Sequence, residues 1–97
     1  MAVLDASFTP VGTHGQYTAG NMDTVQTIAI PSGATKVYLQ ATAQNARVTL
    51  DGTAATATKG FRLVATAQPT LFPVTKATSL QVISETAGAA LDYLFGT

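Results

Sequence analysis

The fold class is decided by residues 31–63, PSGATKVYLQATAQNARVTLDGTAATATKGFRL. Within this stretch, residues 36–42 alternate, with Val37 and Leu39 on one side and Tyr38 on the other. Alternation with a period of two is typical of a β-strand that buries one face. The pattern therefore predicts a strand that directs Val37 and Leu39 into the core and Tyr38 outward.

Turn signals divide the same stretch into further strands. Alternation resumes over residues 47–50, and Asp51-Gly52 then ends that strand. Both residue types tolerate the positive φ that a tight reversal requires. Gly60 closes a loop of small Thr and Ala residues over 54–59, and residues 61–63 begin the next strand. We expect this loop to be a contact element.

The rest of the chain carries similar short apolar runs and no convincing helix. Gly88 argues against a helix in the Ala-rich residues 85–90, and Pro73 marks an edge strand because proline cannot donate to a ladder. The predicted strands are residues 3–8, 24–30, 36–42, 47–50, 61–63, 70–74, 79–84 and 89–95. Eight short strands with frequent turn signals predict an all-β fold. The expected architecture is a small eight-stranded antiparallel β-sandwich of jelly-roll type, with a partly closed barrel as the alternative.

The N-terminal quarter lacks such a pattern. Residues 9–23 contain three glycines and no period, which predicts a long loop or extended arm. Long loops in compact domains are often functional, so this arm is a second candidate contact element. We expect one domain overall, with residues 1–23 forming an N-terminal strand and arm and residues 24–97 forming the sandwich core.

The composition favours a protein that works by contact with other proteins. Of 97 residues, five are basic and five acidic, so the net charge is zero, while Thr and Ala each occur 17 times. A surface with so little charge does little to keep copies apart, which predicts a homo-oligomer. The basic residues are scattered rather than gathered on one face, so we expect no nucleic-acid partner. No signal peptide and no apolar run of about 20 residues is present, so we expect no membrane association.

The ionisable residues form no recognisable catalytic or metal motif. His14 is the single histidine and the chain has no cysteine, so a metal site would need carboxylates to complete it. A loop histidine that makes local hydrogen bonds is the simpler interpretation. Asp51 is explained as the turn residue before Gly52. The sequence therefore predicts no catalytic residue, no cofactor and no metal ion.

Several sequence blocks carry a resemblance to a known group of proteins. They are IPSGAT (30–35), VYLQA (37–41), RVTLDGT (47–53), AATAT (54–58) with Gly60, and AGAALDYL (87–94). Together, over residues 24–95, they resemble small all-β proteins encoded among the structural genes of tailed bacteriophages and prophages. The N-terminal arm is not covered by this resemblance.

The resemblance implies a virion component that is assembled in the host bacterial cytoplasm. The most concrete form is a capsid decoration, or cement, protein that contacts the major capsid protein or other virion proteins. A head–tail connector or tail accessory subunit is the related alternative. The Asp-Gly-Thr turn also looks like turns in accessory domains of carbohydrate-active enzymes, so a carbohydrate- or cell-surface-binding module is the alternative from a different class.

Candidate contact residues follow from the arm, the loop, the outward aromatic residue and the C-terminus. Tyr38 is predicted as an interface anchor, with packing into the second sheet as its alternative. Tyr93 and Phe95 are predicted to fill the core, although Phe95 also begins the C-terminal segment that we expect to make contacts. The predicted partner-contact residues are His14, Gln16, Tyr17, Tyr38, Thr53, Thr56, Thr58 and Phe95.

Overall fold

A computed structural model describes residues 8–75, 77 and 79–97 of the chain. Within these ranges it contains eight β-strands and no helix. The strands are β1 (Gly15–Tyr17), β2 (Gln26–Ile28), β3 (Lys36–Thr42), β4 (Ala46–Thr49), β5 (Phe61–Leu63), β6 (Thr70–Pro73), β7 (Leu80–Ser84) and β8 (Ala90–Gly96). The predicted strand over residues 3–8 lies outside the described residues, apart from Phe8.

The strands form two four-stranded antiparallel sheets, in the orders β1-β8-β3-β6 and β2-β7-β4-β5. The pairs β1–β8, β2–β7, β3–β6 and β4–β5 are nested, as they would be in one long hairpin. Rolling that hairpin so that β3 also meets β8, and β4 also meets β7, gives a jelly roll. The predicted eight-stranded sandwich is therefore confirmed, and the alternative of a partly closed barrel is wrong because two separate sheets form.

Inward-facing side chains from both sheets fill the space between them. Val37 and Leu39 of β3 are fully buried, as their alternation predicts. They meet a group of fully buried side chains from the other strands and from the connection before β2: Met22, Val48, Leu80, Val82 and Leu91. Burying each large apolar side chain contributes about 1.5–3 kcal/mol to stability. This core holds the two sheets face to face and leaves their outer faces available for function.

The N-terminal segment, predicted as a loop or arm over residues 9–23, pairs with the sheet. β1 lies within it and pairs with β8, with Gly15 opposite Tyr93. Upstream, the Thr9 amide donates to the Thr97 carbonyl and the Thr97 amide donates to the Thr9 carbonyl, both at 2.9 Å. The prediction of a long loop or extended arm over residues 9–23 misses β1, and residues on both sides of Gly12 extend the sheet along β8. A local pattern of three residues is too short to reveal this pairing.

Edge strands lie on both sides of the sandwich. β6 ends one sheet and β5 ends the other, and the two are consecutive in the chain. The prediction that Pro73 marks an edge strand is confirmed, because β6 pairs only with β3 among the described strands. β1 and β2 are the opposite edges. One side of the sandwich is thus bounded by β5, β6 and the connection between them.

Candidate functional site

A groove of about 310 Å³ lies on the outer face of the sheet β1-β8-β3-β6. Strand pairing produces it, because Tyr38 is opposite Leu94 and Gln40 is opposite Asp92. Directly opposed residues of neighbouring strands point to the same face of a sheet. We call this feature the Tyr38 groove; its lining residues are Phe8, His14, Tyr38, Gln40, Pro69, Asp92, Tyr93 and Leu94.

Tyr38 forms part of the floor of this groove and is only 5% exposed. Its ring is covered by Phe8, with the ring centroids 4.8 Å apart in an edge-to-face arrangement. The prediction of an exposed interface anchor at Tyr38 is therefore wrong. The alternative of packing into the second sheet is also wrong, because Tyr38 alternates with the core residues Val37 and Leu39 and lines the outer groove. Its cover comes from a residue 30 positions away, which no local pattern reveals.

The predicted contact residues in and next to β1 fall on two faces of its sheet. His14 lines the Tyr38 groove, and the exposed Gln16 lies opposite Asp92 on the same face. Tyr17 faces the core side, where its ring centroid is 6.0 Å from that of Tyr93. Burial, together with the nearby Tyr93, raises the pKa of the Tyr17 hydroxyl. The structure thus brings His14 and Gln16 together with the groove and separates Tyr17 from it.

Phe95 is 4% exposed and belongs to the core, in agreement with the prediction that it fills the core. Its ring packs edge-to-face against Tyr93, with centroids 5.9 Å apart. The competing prediction, that Phe95 contacts a partner, is wrong for its side chain because the folded domain encloses it. The adjacent Thr97 is exposed.

The Thr-containing loop lies over the opposite sheet. The Asp51 side chain accepts a hydrogen bond from the Thr53 amide at 3.0 Å, which lowers the pKa of the Asp51 carboxyl. This bond confirms that Asp51 is a turn residue. Further along, Ala55 is 3% exposed and its amide lies 3.4 Å from Oε1 of Gln81 on β7. The loop therefore folds back onto the outer face of its own sheet instead of projecting freely.

Only the tip of this loop projects. Thr56 and Lys59 exchange backbone hydrogen bonds of 3.2 Å, which closes a tight turn. Thr56 and Thr58 are exposed at this turn, whereas Thr53 is half-buried. Since Gln81 alternates with the core residues Leu80 and Val82, the loop and the Tyr38 groove lie on opposite outer faces. The predicted contact residues consequently form two separate groups.

Sequence reasoning missed a third surface, which we call the Phe61 edge and define as Phe61, Val64, Leu71 and Phe72. All four residues belong to β5, β6 or their connection. Phe61 is 64% exposed, Val64 54% and Leu71 37%. Alternation predicts that Phe61 faces inward, and it does contact the Phe72 ring of the other sheet. It is exposed because β5 is an edge strand, and edge position depends on long-range pairing.

A charged cluster fastens the outer face of the sheet β2-β7-β4-β5. Oε1 of Glu85 accepts hydrogen bonds from Nε of Arg62 at 2.7 Å and from Nε of Arg47 at 2.8 Å. These bonds, that of Arg62 foremost, lower the pKa of the Glu85 carboxyl. Nη1 of Arg47 also donates to the Gly60 carbonyl at 2.9 Å. The cluster joins β4 and β5 to the end of β7 and is a structural element.

The described residues show neither a metal-ligand cluster nor a membrane-spanning helix. Within residues 8–75, 77 and 79–97, no three His, Asp or Glu side chains come together as possible metal ligands. No helix in the described part of the chain is long and apolar enough to cross a membrane. Compared with protein-family models, curated proteins and solved structures, the chain matches none.

Proposed function

We propose that this chain is a non-enzymatic structural protein of a bacteriophage virion, acting as a capsid decoration subunit. The observation that supports this proposal best is the Phe61 edge. Isolated exposed apolar side chains are ordinary on a monomer, but several of them gathered on one side mark a contact surface. Burying a phenylalanine side chain contributes about 1.5–3 kcal/mol. The Phe61 edge thus supports binding to another protein.

The mechanism that we propose is passive. A decoration subunit binds across neighbouring shell subunits, and its contacts must be broken before the shell opens. Specific interfaces bury about 1,600 Å² in total, and many symmetric copies multiply the effect. The expected partners are the major capsid protein or other virion proteins, together with further copies of this chain. The jelly roll supplies the rigid frame that such a contact needs, because both sheets are anchored in one core.

The Phe61 edge and the Tyr38 groove adjoin each other. Leu71 is opposite Tyr38 in the β3–β6 pairing, so one residue of the edge lies beside the groove. Leu71 also faces the same side of the sheet as Tyr38. A partner that covers Leu71 therefore reaches both features at once. We propose that this combined surface faces the shell and that the Thr56–Lys59 turn lies on the far side.

The test is co-sedimentation with tailed-phage particles that were assembled without this chain. We expect saturable binding, with a copy number that is a multiple of the particle symmetry. Binding of one or a few copies per particle would instead favour the connector or tail accessory alternative. Recognition of sugars on a glycan array, without particle binding, would overturn the proposal in favour of the carbohydrate-binding alternative.

A further inference from the structure

We propose that the Tyr38 groove binds the guanidinium group of an arginine side chain presented by the partner protein. This inference rests on the proposed function and deepens it, because it names the chemistry by which the partner is recognised. It is carried by an unpaired carboxylate in a groove lined by aromatic rings. Neither feature is used by the core of the sandwich.

Asp92 differs from the other acidic residues that the structure describes, because its carboxylate has no hydrogen-bond or ion-pair partner among the described residues. Asp23 accepts a hydrogen bond from the Gly88 amide at 3.0 Å, and Asp51 accepts one from the Thr53 amide. Glu85 pairs with two arginines. Among the described residues, none donates a hydrogen bond to the Asp92 carboxylate or forms an ion pair with it. Asp92 is nevertheless half-buried and lines the groove.

A half-buried carboxylate without a partner favours a cationic ligand. Removing a charged group from water is costly unless an opposite charge or hydrogen-bond donors replace the lost solvent. Asp92 lies between Gln16 and Gln40 on the neighbouring strands, so neutral side chains flank it. His14 lines the groove too. Asp92 is therefore the one carboxylate among the described lining residues, and no lysine or arginine lines the groove with it.

The remaining lining residues select a guanidinium among cations. The rings of Phe8 and Tyr38 pack against each other in the groove beside Asp92. A guanidinium stacks on aromatic faces and offers a planar fork of donors that matches a carboxylate in two places. An ammonium ion is a more strongly hydrated point charge and gains less from such a flat, apolar wall. In addition, Nε2 of Gln40 donates to the Ala67 carbonyl at 3.1 Å, which leaves the Gln40 side-chain oxygen to accept from a ligand.

The size of the groove suits one side chain. Its volume of about 310 Å³ is at the lower end of the range of roughly 300–1,000 Å³ for small-molecule sites. A long peptide segment would not fit inside it. A single arginine side chain inserted from a partner that covers Leu71 would fit within it and would pair with Asp92. The arrangement matches the anchor residues, often Arg, that fill pockets at the centre of protein interfaces.

The test uses nuclear magnetic resonance on the ¹⁵N-labelled chain at mildly basic pH. The probe is N-acetyl-arginine N-methylamide, and its control is the citrulline derivative, which has the same shape without the charge. We expect saturable shifts of the amides of Gln40, Asp92 and Leu94 with the arginine probe, at a Kd on the order of 1 mM. The citrulline probe should bind about tenfold more weakly. Equal binding of the two probes would overturn the proposal.

Two matched variants test whether the Asp92 carboxylate is the group that binds the arginine probe. Asp92→Asn should weaken binding of the arginine probe about tenfold, because charge-assisted hydrogen bonds are lost. Asp51→Asn removes a carboxylate elsewhere on the surface and should leave binding unchanged. Amide spectra of each variant verify that it is folded. Undiminished binding by a folded Asp92→Asn variant would overturn the proposal, whereas weakening by both variants would show a general charge effect and would overturn it too.

Failure of the arginine-site proposal can be told apart from failure of the proposed decoration function. If the wild-type chain decorates particles and Asp92→Asn decorates them equally well, the groove is not an arginine site but the proposed function stands. If the arginine probe binds at the groove and no particle binding occurs, the decoration proposal fails while the groove chemistry stands.

Discussion

Phe61 and Phe72 face each other across the open side of the sandwich, with ring centroids 5.9 Å apart and ring planes inclined by 31°. The two residues come from edge strands of different sheets, so the inter-sheet core continues outward to this pair. Phe72 is half-buried, but Phe61 leaves most of its ring in solvent. The contact with Phe72 holds the apolar ring of Phe61 in place at the surface. An interface anchor requires such a preorganised apolar side chain.

Replacing Phe61 with serine separates binding from stability. Because the ring is 64% exposed, we expect a loss of about 1 kcal/mol of stability, mostly from the contact with Phe72. Particle binding should fall at least tenfold, which corresponds to about 1.4 kcal/mol. The measurements are thermal unfolding and co-sedimentation on the same samples.

Val25→Ser is the matched control, because Val25 is 43% exposed and precedes β2 on the opposite side of the sandwich. It should leave particle binding unchanged. Equal effects of the Phe61 and Val25 variants on binding would contradict the role of the Phe61 edge.

Gly60 and Gly33 provide a second matched pair. Both adopt a positive φ, +124° and +87°, which a side chain disfavours. A Cβ at Gly60 would also lie 2.8 Å from the Val48 carbonyl oxygen, whereas nothing lies within 4 Å of one at Gly33. We expect Gly33→Ala to cost about 1 kcal/mol from backbone conformation alone. Gly60→Ala should cost about 2–4 kcal/mol, because β4 and the loop closure must also shift. Chemical denaturation measures both, and equal costs would rule out the close approach to Val48.

Gly15 is required for the N-terminal strand to join the sheet. A Cβ at this position would overlap the ring of Tyr93. Gly15→Ala should therefore cost about 1–3 kcal/mol and weaken the pairing of β1 with β8. Hydrogen exchange at the β1 amides should accelerate more than exchange in β3. Gln16→Ala, at the exposed neighbouring position, should change neither quantity; if it does, the effect is not specific to the close packing at Gly15.

The charged cluster of Glu85 with Arg47 and Arg62 predicts that part of the folding stability is lost in acid. The Glu85 carboxyl has a lowered pKa in the folded chain, so the folded state favours its ionised form. Its stabilising contribution is complete above the ordinary pKa of about 4.3 and is lost as the pH falls through the lower folded value. We expect Glu85→Gln to flatten the loss of stability below about pH 4.3. The measurement is urea unfolding at several pH values, and an acid limb as steep as that of the wild type would exclude this pair of salt bridges as its cause.

Local patterns predict the strands that have enough residues to show a period. β3 spans Lys36–Thr42 as its alternation predicts, and its core residues Val37 and Leu39 are buried. β1 has three residues and no period, and it forms because β8 offers an edge at which Gly15 can pass beneath Tyr93. The jelly-roll connectivity is consistent with the strand count and turns, but those signals do not determine which strands pair.

The surfaces are harder to predict because they depend on contacts between distant residues. Alternation correctly places Tyr38 outside the core, yet Phe8 covers it. The predicted contact residue Thr56 is exposed, yet its neighbour Ala55 packs down near Gln81. The Phe61 edge has the sequence of an ordinary inward-facing strand. It is exposed only because pairing leaves β5 at the end of its sheet.

The most direct test of decoration is cryo-electron microscopy of tailed-phage particles that lack this chain, imaged after the purified protein has been added. We expect regular density over the whole shell, with the Phe61 edge and the Tyr38 groove facing the capsid surface and the Thr56–Lys59 turn pointing away. Density confined to one vertex or to the tail would contradict decoration and assign the chain to the connector or tail class. A shell without any added density, at saturating protein, would contradict the virion role itself.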